Sequence, residues 1–265
     1  MSGGVISLGP VQLILAALLV VMAGAVSVAF RLGIGNRLAV AAVRTVVQLG
    51  LLGLVLERVF ALDSPALVVV LVVIMTLFAA REAVARTGRE YRGIRIDSWL
   101  VMAGTCLVVG GVVTQAVIGV RPWYDPQYVI PLFGMILGNS LNGISLSLDR
   151  FLDHLSSRRA EVELHLAFGA SRREALAAPL QSAVRTGMIP IINAMAAAGI
   201  VSLPGMMTGQ ILAGSPPLQA VAYQIVVMFM IAAATAIGAM AAAIAAARRL
   251  VAPDGALRLD RLRDR

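Results

Sequence analysis

Long apolar stretches fill most of this 265-residue chain. Hydrophobic residues make up 59% of it and charged residues only 14%, whereas about a quarter of an average soluble domain is charged. A helix needs about 20 apolar residues to cross the hydrocarbon core of a bilayer. About seven stretches approach that length: Val11–Phe30, Leu38–Leu56, Pro65–Ala80, Ser98–Val120, Ile130–Leu148, Val184–Ser202 and Ala220–Ala247. Because a spanning segment must satisfy its own backbone hydrogen bonds, we predict an all-α, polytopic integral membrane protein with about seven transmembrane helices.

Arginine predicts the orientation, since the chain has no lysine. With seven spans, one side of the membrane receives all of the 22 arginines except Arg58 and Arg121. The positive-inside rule therefore places the N-terminus outside and the C-terminus in the cytoplasm. Met1–Pro10 lacks the basic region of a cleavable signal peptide, so we expect the first span to remain. The net charge of +8 has the same origin, and we expect no nucleic-acid partner because acidic neighbours balance the scattered arginines.

The loop 149–183 is the one stretch that is both charged and patterned. Its apolar residues recur at helical spacing, which predicts a helix with one apolar face. Gly169 is placed to end that helix in a left-handed turn. Ser171 and Glu174 then form an S-x-x-E capping box that begins the next helix. We call this helix–turn–helix segment the elbow. Two interpretations of it are open: a docking surface for a soluble partner, or an ordinary well-capped loop.

Polar residues within the predicted spans mark either a transport path or helix contacts, because they are costly in lipid. In the fifth span, Asn142 and Ser145 share a helical stripe with Gly134 and Gly138, and Asn139 lies on its flank. Glycines four residues apart let another helix approach closely. Packing of helices and the lining of a pathway are both open interpretations of this stripe.

Other polar residues have narrower interpretations. Asn193 follows Pro190 in the sixth span, which predicts a kinked helix with an inward amide. Arg44 and Gln48 lie one turn apart in the second span, where the arginine is expected to reach toward the membrane surface.

The predicted outer loop from Leu203 to Gln219 carries no charge and is rich in Gly, Pro and Met. Such a loop can be a re-entrant segment at membrane depth. Met206 and Met207 offer soft thioether ligands to a metal, or only packing, and Gln210 adds an amide.

Several activities are excluded by what the sequence lacks. It contains no G-x-x-x-x-G-K-[ST] nucleotide loop, no H-E-x-x-H motif and no paired carboxylates within a span. We therefore expect no enzyme activity and no cofactor bound by this chain. The metal ligands, if there are any, are not defined by a motif.

Four motifs resemble the FetB (YbbM) family of ABC-transporter permeases. They are Arg44-Thr45-x-x-Gln48-Leu49, Gly134-Met135-x-x-Gly138-Asn139-Ser140, Glu163 to Ser171, and the stretch from Leu203-Pro204-Gly205-Met206-Met207-Thr208-Gly209-Gln210 to Pro217. The third matches the coupling motif of ABC permeases in the distance from Glu163 to Gly169, although Leu164 and His165 replace its alanines. That difference argues against an ordinary importer.

The resemblance implies a function and partners. Bacterial members are associated with iron export and plant relatives with aluminium tolerance. It implies a permease domain at residues 1–247 with a basic cytoplasmic tail at 248–265, in a multi-pass protein of a bacterial inner membrane. It also implies a permease homodimer that works with a separate ATPase, which would use the ATP.

The residues expected to act in that function fall into two groups. The ATPase dock would comprise Glu163, Gly169, Ala170, Ser171 and Glu174. The candidate pathway would comprise Asn139, Asn142, Ser145, Asn193, Met206, Met207 and Gln210. A stand-alone channel or secondary carrier, ABC export of a non-metal solute and, with less support, a membrane-embedded enzyme remain the alternatives.

The predicted orientation can be tested by cysteine labelling in a Cys106→Ala background. In intact cells, Ser215→Cys should react with a membrane-impermeant thiol reagent and Ser157→Cys should not, because the arginine distribution puts them on opposite sides. Labelling after permeabilisation controls for the reactivity of each site. The reverse pattern in intact cells would contradict this orientation.

Overall fold

The computed structural model describes residues 9–252 and 256–264 of the chain. Within them the protein is almost wholly helical. The α-helices, in chain order, are α1 (Pro10–Ala29), α2 (Gly35–Leu62), α3 (Pro65–Ala85), α4 (Ile94–Gly111), α5 (Pro126–Ser157), α6 (Arg159–Ala167), α7 (Arg172–Ala197), α8 (Gly205–Leu212) and α9 (Pro217–Leu250). A π-helical segment, Val112–Ile118, continues α4. The short strands β1 (Arg89–Tyr91) and β2 (Leu262–Asp264) pair antiparallel, and a single 3₁₀ turn, Leu259–Arg261, precedes β2.

The helices confirm the predicted class, an all-α multi-pass membrane protein. In the described part of the chain, six helices are long and apolar enough to cross a membrane: α1, α2, α3, α4 with its π-helical extension, α5 and α9. The remaining predicted span, Val184–Ser202, overlaps α7, which ends at Ala197 and is not one of these six. Arg185 and the prolines of α7 lower its apolar character. A crossing by α7, and with it the count of seven, stays a prediction.

The chain divides into two compact units. The first contains α1 and α2 together with Gln210–Ser215, and the second contains Pro65–Gly209 and Pro216–Arg265. In the first unit α1 packs against α2. Only Ser27 of α1 and Val59 of α2 are buried. Nearly all of the apolar surface of these two helices is therefore exposed, as expected for helices that face lipid or other membrane helices.

The second unit is built around α5, which packs against α3, α4, α7 and α9. Asp125 caps its N-terminus by accepting a hydrogen bond from the backbone of Gln127, and Pro126 occupies the first turn, where no backbone donor is needed. Most of the helix is buried, and Ile144, Phe151, Leu152 and Leu155 are fully enclosed. α5 is therefore the central element of this unit.

Small residues allow α5, α7 and α9 to approach one another closely. A methyl group on Gly187 of α7 would lie 2.6 Å from the carbonyl oxygen of Gly143 in α5, and one on Gly143 would collide with the methyl group of Thr235 in α9. The hydroxyl of Ser147 donates to the carbonyl oxygen of Ala239, 3.2 Å away, and joins α5 to α9. We call the site where Gly143 and Gly187 meet the glycine contact.

This contact lies beside the stripe that the sequence indicated. A methyl group on Gly138 would have no described atom within 4 Å, and one on Gly134 would meet only the flexible end of Met75, 3.2 Å away. Within a single chain, no other described helix packs closely against Gly138, so the expectation of a close helix contact there was wrong. The closest backbone approach involves Gly143, a neighbour of Asn142 that the four-residue spacing did not single out.

The glycine contact predicts opposite effects for two substitutions on the same helix. Gly143→Ala should lower the midpoint of thermal unfolding in detergent, because overpacking typically costs about 1–3 kcal/mol. Gly138→Ala is the matched control and should leave the midpoint unchanged or slightly raised, since alanine favours helix by about 1 kcal/mol. Equal midpoints for the two variants would contradict the close approach at Gly143.

Candidate functional site

The elbow contains the predicted turn. α6 ends at Ala167, and Gly169 adopts a left-handed conformation with φ of 84°. The backbone N–H of Ala170 donates to the carbonyl oxygen of His165, and that of Gly169 donates to Leu166, each at 3.0 Å. These bonds satisfy carbonyl groups at the end of the helix. The left-handed φ is strained for any residue with a β-carbon, which explains glycine here.

The predicted capping box is also present at the start of α7. Glu174 accepts a hydrogen bond from the backbone N–H of Ser171 at 2.7 Å, and the Ser171 hydroxyl accepts one from the backbone of Glu174 at 3.4 Å. These bonds lower the pKa of the Glu174 carboxyl below its ordinary value. Glu163 accepts from Arg159 at 2.6 Å, one turn away on α6. The turn is thus defined by local interactions on both sides.

The elbow is joined to the helical core through its two ends. The apolar face that the periodicity predicts comprises Leu152, Leu155, Val162 and Leu166. The first three are buried and Leu166 is half-buried. The guanidinium of Arg150 donates to the Ser182 hydroxyl at 3.1 Å and links α5 to α7. At the start of α7, Arg172 donates to the carbonyl oxygen of Ala247 in α9.

Two apolar side chains protrude from α6 and were not identified from the sequence as functional. Phe168 is 83% exposed and Leu164 is 57% exposed. They lie four residues apart, so they share one face of the helical turn. The sequence contained a signal for their exposure, because both residues lie off the helical face formed by Leu152, Leu155 and Val162. Aromatic side chains are enriched at protein interfaces, so Phe168 is a candidate contact residue.

The polar residues of α5 are partly engaged in hydrogen bonds. The side-chain oxygen of Asn142 accepts from Arg86 at 2.5 Å, and the amide of Asn139 donates to the carbonyl oxygen of Met135 at 2.9 Å. Both asparagines are exposed in this chain. Ser145 is buried and donates to the carbonyl oxygen of Asn142. Asn139 and Asn142 therefore face outward on α5, whereas Ser145 does not.

Three other predicted polar residues are also exposed. Asn193 of α7 faces outward, so the expected inward amide was wrong for the single chain. Arg44 and Gln48 lie one turn apart on the exposed surface of α2, as their spacing requires.

A cavity of about 470 Å³ lies within the second unit, where the end of α7, the start of α8 and the first turns of α9 meet. Its lining residues are mostly apolar and include three methionines: Met195, Ala198, Gly199, Leu203, Pro204, Met207, Val221, Gln224, Ile225, Met228 and Phe229. Gln224 is buried, and its side-chain oxygen has no hydrogen-bond partner among the described residues. The sequence singled out Met207 but not Met195, Met228 or Gln224, because these come from separate helices.

The remaining predicted loop residues are placed differently. Met206 lies on α8 outside the cavity lining. Gln210 lies in the next turn of α8, and its side-chain oxygen is likewise buried without a described partner. No group of three or more His, Cys, Asp or Glu side chains that could hold a metal ion occurs within residues 9–252 and 256–264. A metal bound at the cavity would therefore have neutral oxygen and thioether ligands.

These features define a multi-pass membrane protein, and comparison with known proteins identifies its family. The model of the uncharacterised protein family UPF0014 matches residues 10–251, and the chain belongs to that family. No solved structure matches the chain.

Three relatives illustrate the family. The UPF0014 membrane protein slr1647 of Synechocystis is 40% identical, covering 71% of this chain and 73% of its own length. The protein named probable iron export permease protein FetB of Escherichia coli is 31% identical, with 83% of each chain covered. The protein ALUMINUM SENSITIVE 3 of Arabidopsis thaliana is also 31% identical, covering 72% of this chain and 69% of its own. The resemblance drawn from the motifs is confirmed.

Proposed function

We propose that this chain is the permease subunit of an ABC transporter that exports a metal ion, with iron as the first candidate. Two copies of the chain would form the membrane part, and two copies of a separate ATPase would bind at the elbows. The name of the Escherichia coli relative supports a permease and iron. Since the sequence contains no nucleotide-binding loop, we assign ATP hydrolysis to another chain.

The elbow is the observation that carries this proposal. It presents Phe168 and Leu164 on a short helix that is fixed between α5 and α7. Burial of such side chains in a groove of the ATPase would provide the apolar centre of an interface. Movement of the bound ATPase would then act directly on α5 and α7. Alternation between inward-open and outward-open states would follow from that displacement.

The first test is recovery of the ATPase with the tagged permease. Gly169→Val should abolish co-purification while leaving membrane insertion intact, because valine is strained at a positive φ. Phe168→Ala should weaken co-purification by about tenfold or more, since a buried aromatic anchor typically contributes at least 2 kcal/mol to an interface. Phe78→Ala, which removes a 62% exposed phenylalanine from α3, is the matched control and should have no effect.

Two outcomes would contradict the proposal. One is unchanged recovery of the ATPase with both elbow variants. The other is transport by the permease alone in vesicles without nucleotide, which would favour a channel or a secondary carrier.

For the substrate path, the cavity and the exposed face of α5 are the best candidates. Met207 contributes a soft thioether to the cavity, and Asn139 contributes an amide to the face of α5. Neutral ligands bind a divalent ion weakly, which suits transport because the ion must also leave. A largely apolar cavity also suits a chelated metal or another organic solute. Export of a non-metal solute is therefore the second candidate.

The ATPase activity of the reconstituted complex distinguishes these substrates. If the cavity receives a metal ion, iron or another metal should stimulate the activity. Met207→Ala should raise the half-maximal metal concentration by about tenfold or more, because even the loss of groups that support a ligand has an effect of this size. Asn139→Ala tests the contribution of the α5 face in the same assay.

Met206→Ala is the matched control, since Met206 does not line the cavity. If no metal stimulates the wild-type complex, the metal hypothesis fails and export of a non-metal solute is favoured. Equal effects of the two methionine variants would contradict the role of the cavity.

A further inference from the structure

A second concavity, lined in part by arginines, lies within the second unit at the start of α4 and the end of α9. It has a volume of about 850 Å³. We call it the arginine cleft. The residues that line it are Glu90, Tyr91, Arg92, Gly93, Ile96, Arg249, Leu250, Asp260, Arg261 and Arg263. They come from β1, the turn after it, the first turn of α4, the end of α9 and the tail that contains β2.

One arginine of the cleft is held firmly. Arg249 donates to both carboxylate oxygens of Asp97, at 2.9 and 3.1 Å, and the hydroxyl of Tyr91 donates to the same carboxylate at 3.1 Å. The Asp97 side chain is buried, whereas that of Arg249 is half exposed at the cleft. Arg249 therefore has a fixed position at the wall of the cleft.

The other three arginines are exposed and have no ion-pair partner among the residues that the structure describes. They are Arg92, Arg261 and Arg263. Because Asp97 neutralises Arg249, the cleft lining has three further arginines against the two acids Glu90 and Asp260, an excess of one positive charge. Several guanidinium groups around one concavity repel each other unless an anion lies between them. The cleft is thus suited to an anion.

The tail is attached so that its arginines stay at the cleft. β2 pairs with β1, with Tyr91 opposite Leu262 and Arg89 opposite Asp264. Arg89 bridges Asp264 at 2.9 Å and Asp153 of α5 at 2.8 Å, which fastens the end of the tail to the central helix. Arg261 and Arg263 are therefore placed by strand pairing and an ion-pair bridge, not by chance proximity.

We propose that the arginine cleft binds a phosphate group, and that the phosphate belongs to the headgroup of an anionic phospholipid. The guanidinium fork matches the geometry of phosphate oxygens. The cleft lies where α4 begins and α9 ends, and both helices are long enough to cross the membrane. Ile96, which is 62% exposed, provides apolar surface for the adjoining acyl chains. Basic pockets between the ends of membrane helices bind anionic headgroups in this way.

The experiment compares two pairs of substitutions that remove the same charge. Arg261→Gln with Arg263→Gln alters the cleft. Arg95→Gln with Arg258→Gln alters two exposed arginines of the same region that do not line it. Native mass spectrometry of the purified full-length protein in uncharged detergent would measure the binding of short-chain phosphatidylglycerol, with phosphatidylcholine and inorganic phosphate as separate titrations.

Phosphatidylglycerol should bind the wild-type protein and the control pair equally and more tightly than phosphatidylcholine. The cleft pair should bind it about twenty-five-fold more weakly, since each arginine near a lipid surface is worth about a factor of five. If inorganic phosphate binds with the same dependence on the cleft pair and the lipid binds no more tightly, the ligand is free phosphate.

Two results would overturn the proposal. They are equal weakening by the cleft and control pairs, which would indicate general charge attraction, and a wild-type protein that binds neither anion. If the cleft pair does not fold, Arg92→Gln provides a single change in the turn after β1, and it should weaken phosphatidylglycerol binding about fivefold.

Discussion

The second unit depends on the glycine contact, where the backbones of α5 and α7 meet without intervening side chains. Between membrane helices there is little hydrophobic driving force, so stability comes from close packing and from polar contacts. Gly143 and Gly187 provide the close packing. The Ser147 hydroxyl provides a polar contact, because it donates to the carbonyl oxygen of Ala239 in α9. With α7 and α9 at this distance, α5 can be buried along most of its length.

The same two helices that meet at the glycine contact also carry the elbow. α5 continues past the contact to Ser157, and α7 begins at Arg172, so only α6 and two short connections lie between them. Arg150 joins α5 to Ser182 of α7 between the contact and the turn. A displacement of α6 would therefore move α5 and α7 together. The glycine contact is the place where the backbones of these two helices touch. This arrangement suits a permease that is driven from one side of the membrane.

Features that depend on near neighbours in the chain could be predicted, and those that depend on distant ones could not. The apolar stretches gave the helices, and Gly169 with Ser171 and Glu174 gave the turn, because helix ends are determined by a few adjacent residues. The glycine contact could not be predicted, because Gly143 is closely packed only through its contact with Gly187, which lies 44 positions further along the chain. The orientation of Asn193 was predicted wrongly, and Met195 and Met228 of the cavity were not identified, for the same reason. Neighbouring helices determine which side of a helix is covered. Phe168 lies off the apolar face that the helical spacing predicts, so its exposure could have been inferred from the sequence.

The chemistry of the candidate path restricts what this protein can carry. Asn142 already bonds to Arg86, Ser145 is buried, and the cavity beside Met207 is mainly apolar. A hard cation such as Mg²⁺ or Ca²⁺ prefers carboxylate and carbonyl oxygens, and the described residues contain no cluster of acids to provide them. Soft or borderline ions accept thioether and amide ligands more readily, and a metal surrounded by an organic chelator needs no ligand from the protein at all. If the substrate is a metal, the cavity therefore favours either a soft or borderline ion bound weakly or a metal that travels with its own organic ligands, and its apolar lining equally suits a non-metal organic solute.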